Sequence, residues 1–230
     1  MQRFARFQLH LVTEPRRSST ELIRAVTQAV RGGVDVVQLR DKNASALALH
    51  SQARALREAM RGCQVALTIN DRLDVALAVG ADGVHLAAQS IPVVDAVRLA
   101  NRQLLVGRSV HGQDEAVAAA AAGADYLTFG HVFPTTSHPG LPPHGLNELA
   151  DIVRAVEVPV LAIGGITVAN LADVLSTGCA GIAVISAILA QADPYEAAAA
   201  LRGVLDQSPY QPRFPLPRKA NAPDRQPTTV

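Results

Sequence analysis

Two short apolar segments near the carboxyl terminus end in residues that are suited to binding an anion. Residues 159–165 read PVLAIGG and residues 181–187 read GIAVISA, and a helix-like stretch follows each of them. Backbone amides at the start of a helix bind phosphate without needing a cationic side chain. We therefore expect a small phosphorylated metabolite as the ligand. The predicted phosphate-binding residues close the two segments: Gly164, Gly165, Ile185 and Ser186.

An earlier apolar segment ends in polar residues of a different kind. Gln38 and Arg40 lie on the same side of an extended chain, because side chains alternate with a period of two. Lys42 lies two residues after Arg40. A guanidinium group matches the geometry of a carboxylate or phosphate, so we expect these three residues to bind an anionic part of the substrate. The alternative is a surface salt bridge between Arg40 and Asp41.

A histidine at the end of another apolar segment is the strongest candidate for proton transfer. His131 follows Gly130 in the sequence TFGHVFPTT. Imidazole gains and loses protons near neutral pH, so we expect His131 to be catalytic, with a buried structural histidine as the alternative. The loop that follows is rich in proline, glycine and hydroxyl groups. We expect it to form a lid from which Thr135 and Ser137 contact the ligand.

Two further segments also end in polar residues. Asn70 and Asp71 close residues 65–71, and Ser109 lies at the end of residues 104–110. Asp71 either binds a metal or ligand, or caps the helix that follows, and the sequence leaves both interpretations open. Ser109 is a further candidate donor to the ligand.

A recurring phrase indicates which fold positions these residues. A glycine, a short polar turn and an apolar strand recur in residues 32–40, 80–86, 123–130 and 178–186. Four further strand-like segments lie before the first of these repeats or between successive repeats, in residues 6–13, 65–71, 104–110 and 159–165. Eight strands that alternate with helical stretches predict an α/β fold, a single-domain (β/α)8 TIM barrel, in which the carboxyl ends of all strands meet at one mouth. A doubly wound open sheet is less favoured, because no GxGxxG follows the first strand.

Composition sets the predicted domain limits. We expect the barrel to occupy residues 1–207, because residues 208–230 contain six prolines and four cationic residues against one aspartate. This tail is predicted to be disordered or loosely draped. Apolar residues make up 49% of the chain and aromatic residues only 3%, as is typical of buried parallel strands covered by alanine-rich helices.

Charge and cysteine content limit the predicted partners and location. A net charge of +1 argues against a general nucleic-acid or membrane-surface binder. Cys63 and Cys179 lack metal-ligand spacing, and no signal peptide or membrane span is evident, so we expect a cytoplasmic protein. The alanine-rich helices are compatible with a homodimer.

Seven motifs, taken in order, resemble those of one enzyme superfamily. They are QLRDK, TIND, GADGVHL, GRSVH, GADYLTFGHVFPT, AIGGIT and GIAVISAI. On these motifs, the chain is identified as a member of the thiamin phosphate synthase/TenI superfamily over roughly residues 7–205. The resemblance implies a TIM barrel with one of two activities.

Two departures separate the chain from the synthase branch of that superfamily. The resemblance implies that a synthase joins a pyrimidine diphosphate to a thiazole phosphate, with Mg²⁺ held by two aspartates and the diphosphate held by a lysine. Asp71 matches the first aspartate, but Ser90 stands at the second and His138 at the lysine. The predicted function is therefore that of a TenI-type thiazole tautomerase, an isomerase of thiamin biosynthesis. In that branch the histidine that matches His131 transfers a proton, without metal or organic cofactor, to aromatise a carboxylated dihydrothiazole phosphate.

Two alternatives stay open. One is a thiamin phosphate synthase that depends on Mg²⁺ bound at Asp71, because the polar residues of that branch are otherwise retained. The other is a protein that binds a thiazole phosphate without turning it over and acts through a partner. On the tautomerase hypothesis, Arg40 and Lys42, aided by Gln38 or Ser109, bind the substrate carboxylate.

Overall fold

Eight parallel strands close into a barrel in sequence order, and the last strand, β8, pairs with the first, β1. The computed structural model describes residues 6–14, 18–137, 139–214 and 216. The strands are β1 Gln8–Val12, β2 Val36–Leu39, β3 Ala66–Asn70, β4 Gly83–Leu86, β5 Leu105–Val110, β6 Tyr126–Phe129, β7 Val160–Ile163 and β8 Gly181–Val184. The predicted (β/α)8 barrel is confirmed.

Helices follow every strand. They are α1 Ser19–Arg31, α2 Ala46–Ala59, α3 Leu73–Val79, α4 Val93–Ala100, α5 Gln113–Ala121, α6 Gly145–Ala155, α7 Leu171–Ser176, α8 Ser186–Leu189 and α9 Pro194–Gln207. The first begins as its sequence predicts. Ser18 Oγ accepts a hydrogen bond from Glu21 N, and the Glu21 carboxylate accepts one from Ser18 N. Within the described residues, no helix has both the length and the apolar composition needed to cross a membrane.

The aspartate of the recurring phrase ties neighbouring strands together. Leu9 N donates a hydrogen bond to Asp35 Oδ2 over 2.9 Å, and Asp35 N donates to Leu9 O over 2.9 Å. Asp82 forms the same reciprocal pair with Leu67, and Asp125 forms it with β5. These aspartates therefore lie at the amino ends of alternate strands. Their physical role is to satisfy the hydrogen bonds of backbone groups where the pairing of neighbouring strands begins.

Several polar side chains of the strands are buried within the barrel. They are His10, Gln38, Thr68, Asn70, His85 and Thr128. Most other buried residues are aliphatic, as the composition indicates. Because buried polar groups need hydrogen-bond partners, the interior side chains constrain one another and the strand ends above them.

The described part of the tail lies against the barrel. Helix α9 ends at Gln207, at the predicted domain limit. Arg213 N donates a hydrogen bond to Gly178 O over 3.0 Å, and Leu216 packs against the cluster formed by Tyr126, Leu161 and Ala180. The residues that follow Leu216 lie outside the described part of the chain, so their predicted disorder stays a prediction. Likewise, the cytoplasmic location and the homodimer stay predictions.

Candidate active site at the carboxyl ends of the strands

A chain of side-chain hydrogen bonds links the ends of β2 and β3. Gln38 Nε2 donates to Asn70 Oδ1 over 2.8 Å, and Asn70 Nδ2 donates to Asp71 Oδ2 over 2.6 Å. Both amides are buried, so neither rotates without leaving a polar group unpaired. This series of hydrogen bonds therefore has one fixed direction, and its last hydrogen bond is donated to the Asp71 carboxylate.

The Asp71 carboxylate also bridges to the loop between β4 and α4. Its Oδ1 accepts hydrogen bonds from Ala87 N, at 2.8 Å, and from Ser90 Oγ. Helix α3 has Arg72 as its N-cap, and no side-chain hydrogen bond caps this helix. Asp71 thus organises the mouth of the barrel rather than the start of α3.

The same loop is held from its other side by Arg108, a residue that the sequence analysis did not select. Its guanidinium donates to Ala87 O over 2.7 Å and to Ala88 O over 3.4 Å. Since side chains alternate along a strand, Arg108 points to the opposite side of β5 from Ser109. Arg108 therefore fixes the loop whose Ala87 amide contacts Asp71. A cation inside an otherwise apolar strand was the signal available in the sequence.

Thr13, also missed by the sequence analysis, holds the backbone at the end of β2. Arg40 N donates to Thr13 Oγ1 over 2.9 Å. The neighbouring Asp41 Oδ1 accepts hydrogen bonds from Asn43 N, at 2.9 Å, and Ala44 N, at 3.1 Å. The Asp41 carboxylate thus stabilises the turn of its own loop, which is not the Arg40 salt bridge that the sequence offered as an alternative.

The remaining predicted substrate residues differ in exposure. Arg40 and Thr135 are half-buried, whereas Lys42 and Ser137 are exposed. Thr135 Oγ1 accepts a hydrogen bond from Ser137 N over 3.3 Å, which shapes the loop after β6. His138 lies outside the described residues.

His131 is tied into the loop after β6. It is 6% exposed, and its Nε2 lies 3.2 Å from Leu141 O. Beside it, His111 Nδ1 lies 2.7 Å from Gly130 O. An imidazole N–H that donates to a backbone carbonyl fixes both the ring and the loop. This contact matches the structural alternative that the sequence analysis considered for His131.

Glycines after β7 are required where two loops pack closely. Gly164 has φ 99°, and a Cβ there would lie 2.4 Å from His131 Cβ. Gly165 has φ 65°, and a Cβ there would lie 2.5 Å from a backbone carbonyl of the loop after β6. Ile185 is the N-cap of α8, and Ser186 is its first residue. The four residues of the predicted phosphate site thus follow adjacent strands, and their binding of phosphate stays a prediction.

A buried histidine and tyrosine lie beneath Ser109. His85 Nε2 lies 2.9 Å from Ser109 Oγ, and His85 Nδ1 lies 3.2 Å from the Tyr126 hydroxyl. Gly107 pairs with Tyr126 in the strand register, and a Cβ there would lie 2.2 Å from the tyrosine ring. Sequence reasoning treated His85 as a packed residue and assigned nothing to Tyr126. The available signal was a strand glycine opposite an aromatic residue.

Burial keeps the interior histidines neutral. Desolvation lowers the pKa of His10 to about 3 and the pKa of His85 to about 4. Desolvation also raises the pKa of the Tyr126 phenol, which therefore stays protonated. The polar interior of the barrel is uncharged at neutral pH.

We expect the free energy of unfolding to fall as the pH is lowered from 6.5 to about 4, where His85 titrates in the folded protein. The unfolded chain protonates both histidines near pH 6.5 and the folded protein does not, so the unfolded state binds more protons in this range. Each histidine contributes a slope of about 1.4 kcal/mol per pH unit. Urea denaturation at several pH values measures the slope. His10→Gln and His85→Gln should each remove about half of it; the same slope in the unchanged protein and in both variants would contradict the interpretation.

Comparisons with known proteins find thiamine-phosphate synthases among the relatives. Residues 9–188 match a family model, TMP-TENI, described as thiamine monophosphate synthase. The chain is 44% identical over 201 residues to a putative thiamine-phosphate synthase of Geobacter sulfurreducens, with 86% of this chain and 94% of that protein covered. It is 45% identical over 201 residues to the thiamine-phosphate synthase of Methanoculleus marisnigri, with 85% and 94% covered.

Solved structures agree with these relatives. The thiamine phosphate pyrophosphorylase of Pyrococcus furiosus superposes with a TM-score of 0.80 at 38% identity, covering 87% of this chain and 96% of that chain. The 3-hexulose-6-phosphate synthase of Salmonella typhimurium superposes with a TM-score of 0.71 at 20% identity, covering 87% and 99%. At that identity the second likeness shows only that the two proteins share the barrel fold.

These relatives overturn the predicted activity. The sequence analysis inferred an isomerase of the thiazole tautomerase type from the departures at Ser90 and His138, with His131 as the proton carrier. Relatives that are 44% and 45% identical over most of the chain are named synthases, which are transferases. The predicted tautomerase and its isomerase class are therefore wrong. The departures at Ser90 and His138 do not outweigh identity over most of the chain.

Proposed function

The chain belongs to the thiamine monophosphate synthase family, and we propose that it is itself a thiamine-phosphate synthase. The proposed reaction joins a hydroxymethylpyrimidine diphosphate to a thiazole phosphate and releases inorganic diphosphate. The observation that carries the proposal is the hydrogen-bond chain from Gln38 through Asn70, which holds the Asp71 carboxylate at the mouth of the barrel. A carboxylate in that position serves a metal-dependent transfer of a diphosphate leaving group and has no part in the tautomerase chemistry.

The oxygen atoms around Asp71 fit a magnesium ion. Mg²⁺ takes oxygen ligands and is commonly held by one or two carboxylates together with substrate phosphates and water. Ser90 Oγ touches Asp71 Oδ1, so the chain offers one carboxylate and one hydroxyl oxygen at the same place. The described residues contain no group of three or more His, Cys, Asp or Glu side chains that could hold a metal ion. The donor set therefore suits an ion held mainly by the diphosphate, where it neutralises the charge of the leaving group.

The other polar residues suit the two phosphorylated substrates. We place the diphosphate beside Arg40 and Lys42, whose positive charges complement it, and beside the hydroxyl of Ser109. Thr135 and Ser137 approach from the loop after β6. The phosphate of the thiazole is assigned to the backbone that follows β7 and β8: Gly164, Gly165, Ile185 and Ser186.

A condensation assay tests this function. Purified protein, supplied with the two substrates and Mg²⁺, is expected to form thiamin phosphate and inorganic diphosphate, and a chelator is expected to lower the rate at least about a hundredfold. Conversion of the product to its fluorescent oxidised form measures the rate. Ser90→Asp, which adds a second carboxylate beside Asp71, should lower the Mg²⁺ concentration required. Folded protein that forms no thiamin phosphate at saturating Mg²⁺ would rule the function out.

A further inference from the structure

Beneath Ser109, Tyr126 and His85 form a buried pair to which the proposed reaction assigns no role. We infer that Tyr126 and His85 are positioning residues, which fix the Ser109 hydroxyl as a hydrogen-bond donor to the diphosphate of the substrate. The identity of this anion rests on the proposed function. The direction of the hydrogen bonds rests only on contacts among described residues.

The Tyr126 hydroxyl lies within hydrogen-bond distance of His85. Tyr126 is 2% exposed, and the raised pKa of its phenol keeps the proton in place. Its oxygen lies 3.2 Å from His85 Nδ1. Thr68 Oγ1, the other hydroxyl that interacts with the phenol, acts as a donor to the Tyr126 oxygen and leaves the phenol proton for His85. Because a buried O–H without an acceptor is costly, Tyr126 donates to His85 Nδ1.

This hydrogen bond sets the tautomer of His85. His85 is 2% exposed and lies between two neutral hydroxyl groups, and a neutral imidazole has one donor nitrogen and one acceptor nitrogen. Nδ1 accepts from Tyr126, so Nε2 carries the hydrogen. Nε2 lies 2.9 Å from Ser109 Oγ, and it donates to that oxygen. The proton of the Ser109 hydroxyl is then left for another acceptor.

The direction of this last hydrogen bond decides how Ser109 meets an anion. Ser109 is half-buried near the carboxyl end of β5, at the mouth of the barrel. A hydroxyl that donates to a phosphate oxygen forms a charge-assisted hydrogen bond. With the opposite tautomer, Ser109 would donate to His85 and present only lone pairs to the substrate. The buried pair therefore makes Ser109 attract a diphosphate instead of repelling it.

Gly107 keeps the tyrosine hydroxyl in the required place. A Cβ at Gly107 would lie 2.5 Å from the Tyr126 hydroxyl oxygen and 2.2 Å from the ring carbon that carries it. Any side chain at this position would push the hydroxyl away from His85. The glycine and the tyrosine, which pair in the strand register, thus act as one unit.

Heteronuclear NMR of the substrate-free protein tests the tautomer directly. Correlations between the ring nitrogens and the carbon-bound protons distinguish a protonated nitrogen from an unprotonated one. For His85, assigned by the loss of its signals in His85→Gln, we expect a protonated Nε2 and an unprotonated Nδ1. A protonated Nδ1 would overturn the inference. This result does not depend on any turnover, so it is separate from the test of the proposed function.

A double-mutant cycle tests the role toward the anion, with calorimetric binding of inorganic diphosphate in the presence of Mg²⁺ as the measurement. Tyr126→Phe and Ser109→Ala are each expected to weaken binding about tenfold, the effect of one hydrogen bond to a charged group. In the double variant the tyrosine replacement should add nothing, because it acts through Ser109. The same loss from Tyr126→Phe in both backgrounds, or no loss in either, would overturn the positioning role.

Further variants serve as controls for the positioning role of Tyr126 and His85. Tyr195→Phe, at an exposed tyrosine of α9, should leave diphosphate binding unchanged. His85→Gln, whose amide can still donate to Ser109, should bind diphosphate more tightly than His85→Leu, which has no donor. Equal binding by these two histidine variants would contradict the inference even if Tyr126→Phe fails to fold.

Discussion

Replacing Asp71 with asparagine is expected to lower the turnover of the condensation at least about a hundredfold. On the proposed function, the substitution removes the negative charge that would hold Mg²⁺, and it keeps the shape of the side chain. Asp71 has φ 61°, a left-handed conformation that asparagine adopts readily, so the backbone at the end of β3 is retained. Steady-state kinetics across a Mg²⁺ titration measure the effect. Thermal unfolding of the same variant shows whether the fold is kept.

The hydrogen bonds around Asp71 predict a small cost in stability alongside the loss of activity. The asparagine oxygen can still accept from Ala87 N, but its amide group would face the Asn70 amide that now donates to Asp71. One buried hydrogen bond is lost, which costs about 1 kcal/mol. Asp74→Asn, at an exposed residue of α3, is the matched control and should keep full activity. Turnover of Asp71→Asn close to that of the unchanged protein would contradict the role of this carboxylate.

The barrel was predictable because its strands are marked by local chemistry. Buried parallel strands are continuous apolar runs, and in this sequence an aspartate comes just before three of these runs. In the structure, the side chains of Asp35, Asp82 and Asp125 accept hydrogen bonds from the backbone of the neighbouring strand. Each of these motifs therefore contains the start of one strand and the aspartate that hydrogen-bonds to the strand beside it. A pattern of that kind is readable without knowledge of distant contacts.

The contacts at the mouth of the barrel were not predictable in the same way. Asp71 was a candidate from its place at a strand end, but its partners Ala87 and Ser90 come from another loop. Sequence reasoning compared position 90 with a family pattern and counted a lost carboxylate. In the structure, the Ser90 hydroxyl contacts the retained carboxylate, so one oxygen has replaced another within the same cluster. That difference depends on a distance, which the sequence does not contain.

His131 was chosen as the proton carrier of the tautomerase activity that the relatives contradict, and a place for it in the site stays a prediction. Its position after β6 is where catalytic side chains of barrels lie, and imidazole is suited to proton transfer. The loop folds back so that Leu141 O meets the imidazole, and no pattern in the loop foretells this contact. A histidine that matches a functional motif is thus weak support for a reaction until its hydrogen-bond partners are known.

At the closure of the barrel, the addition of a single methyl group is expected to have a large effect on stability. Gly181 begins β8 and pairs with Gln8, the first residue of β1. Its φ is 148°, and a Cβ there would lie 2.1 Å from Gln8 O and 2.6 Å from Gln8 N. Both contacts are with backbone atoms, and Gln8 N also donates to Ala180 O over 3.0 Å. The backbone can move away only by opening the pairing of β1 with β8. We expect Gly181→Ala to lose about 3 kcal/mol or more of unfolding free energy.

Gly203→Ala is the matched control, because it makes the same chemical change elsewhere in the chain. Gly203 lies inside α9, and a Cβ there meets nothing within 4 Å. Alanine favours the helix, so this variant should gain about 0.5–1 kcal/mol. Both replacements restrict the unfolded chain alike, and the difference between them in guanidinium denaturation therefore measures the contact with β1. If the two variants had equal stability, the close approach of β8 to β1 would not be what requires glycine at position 181.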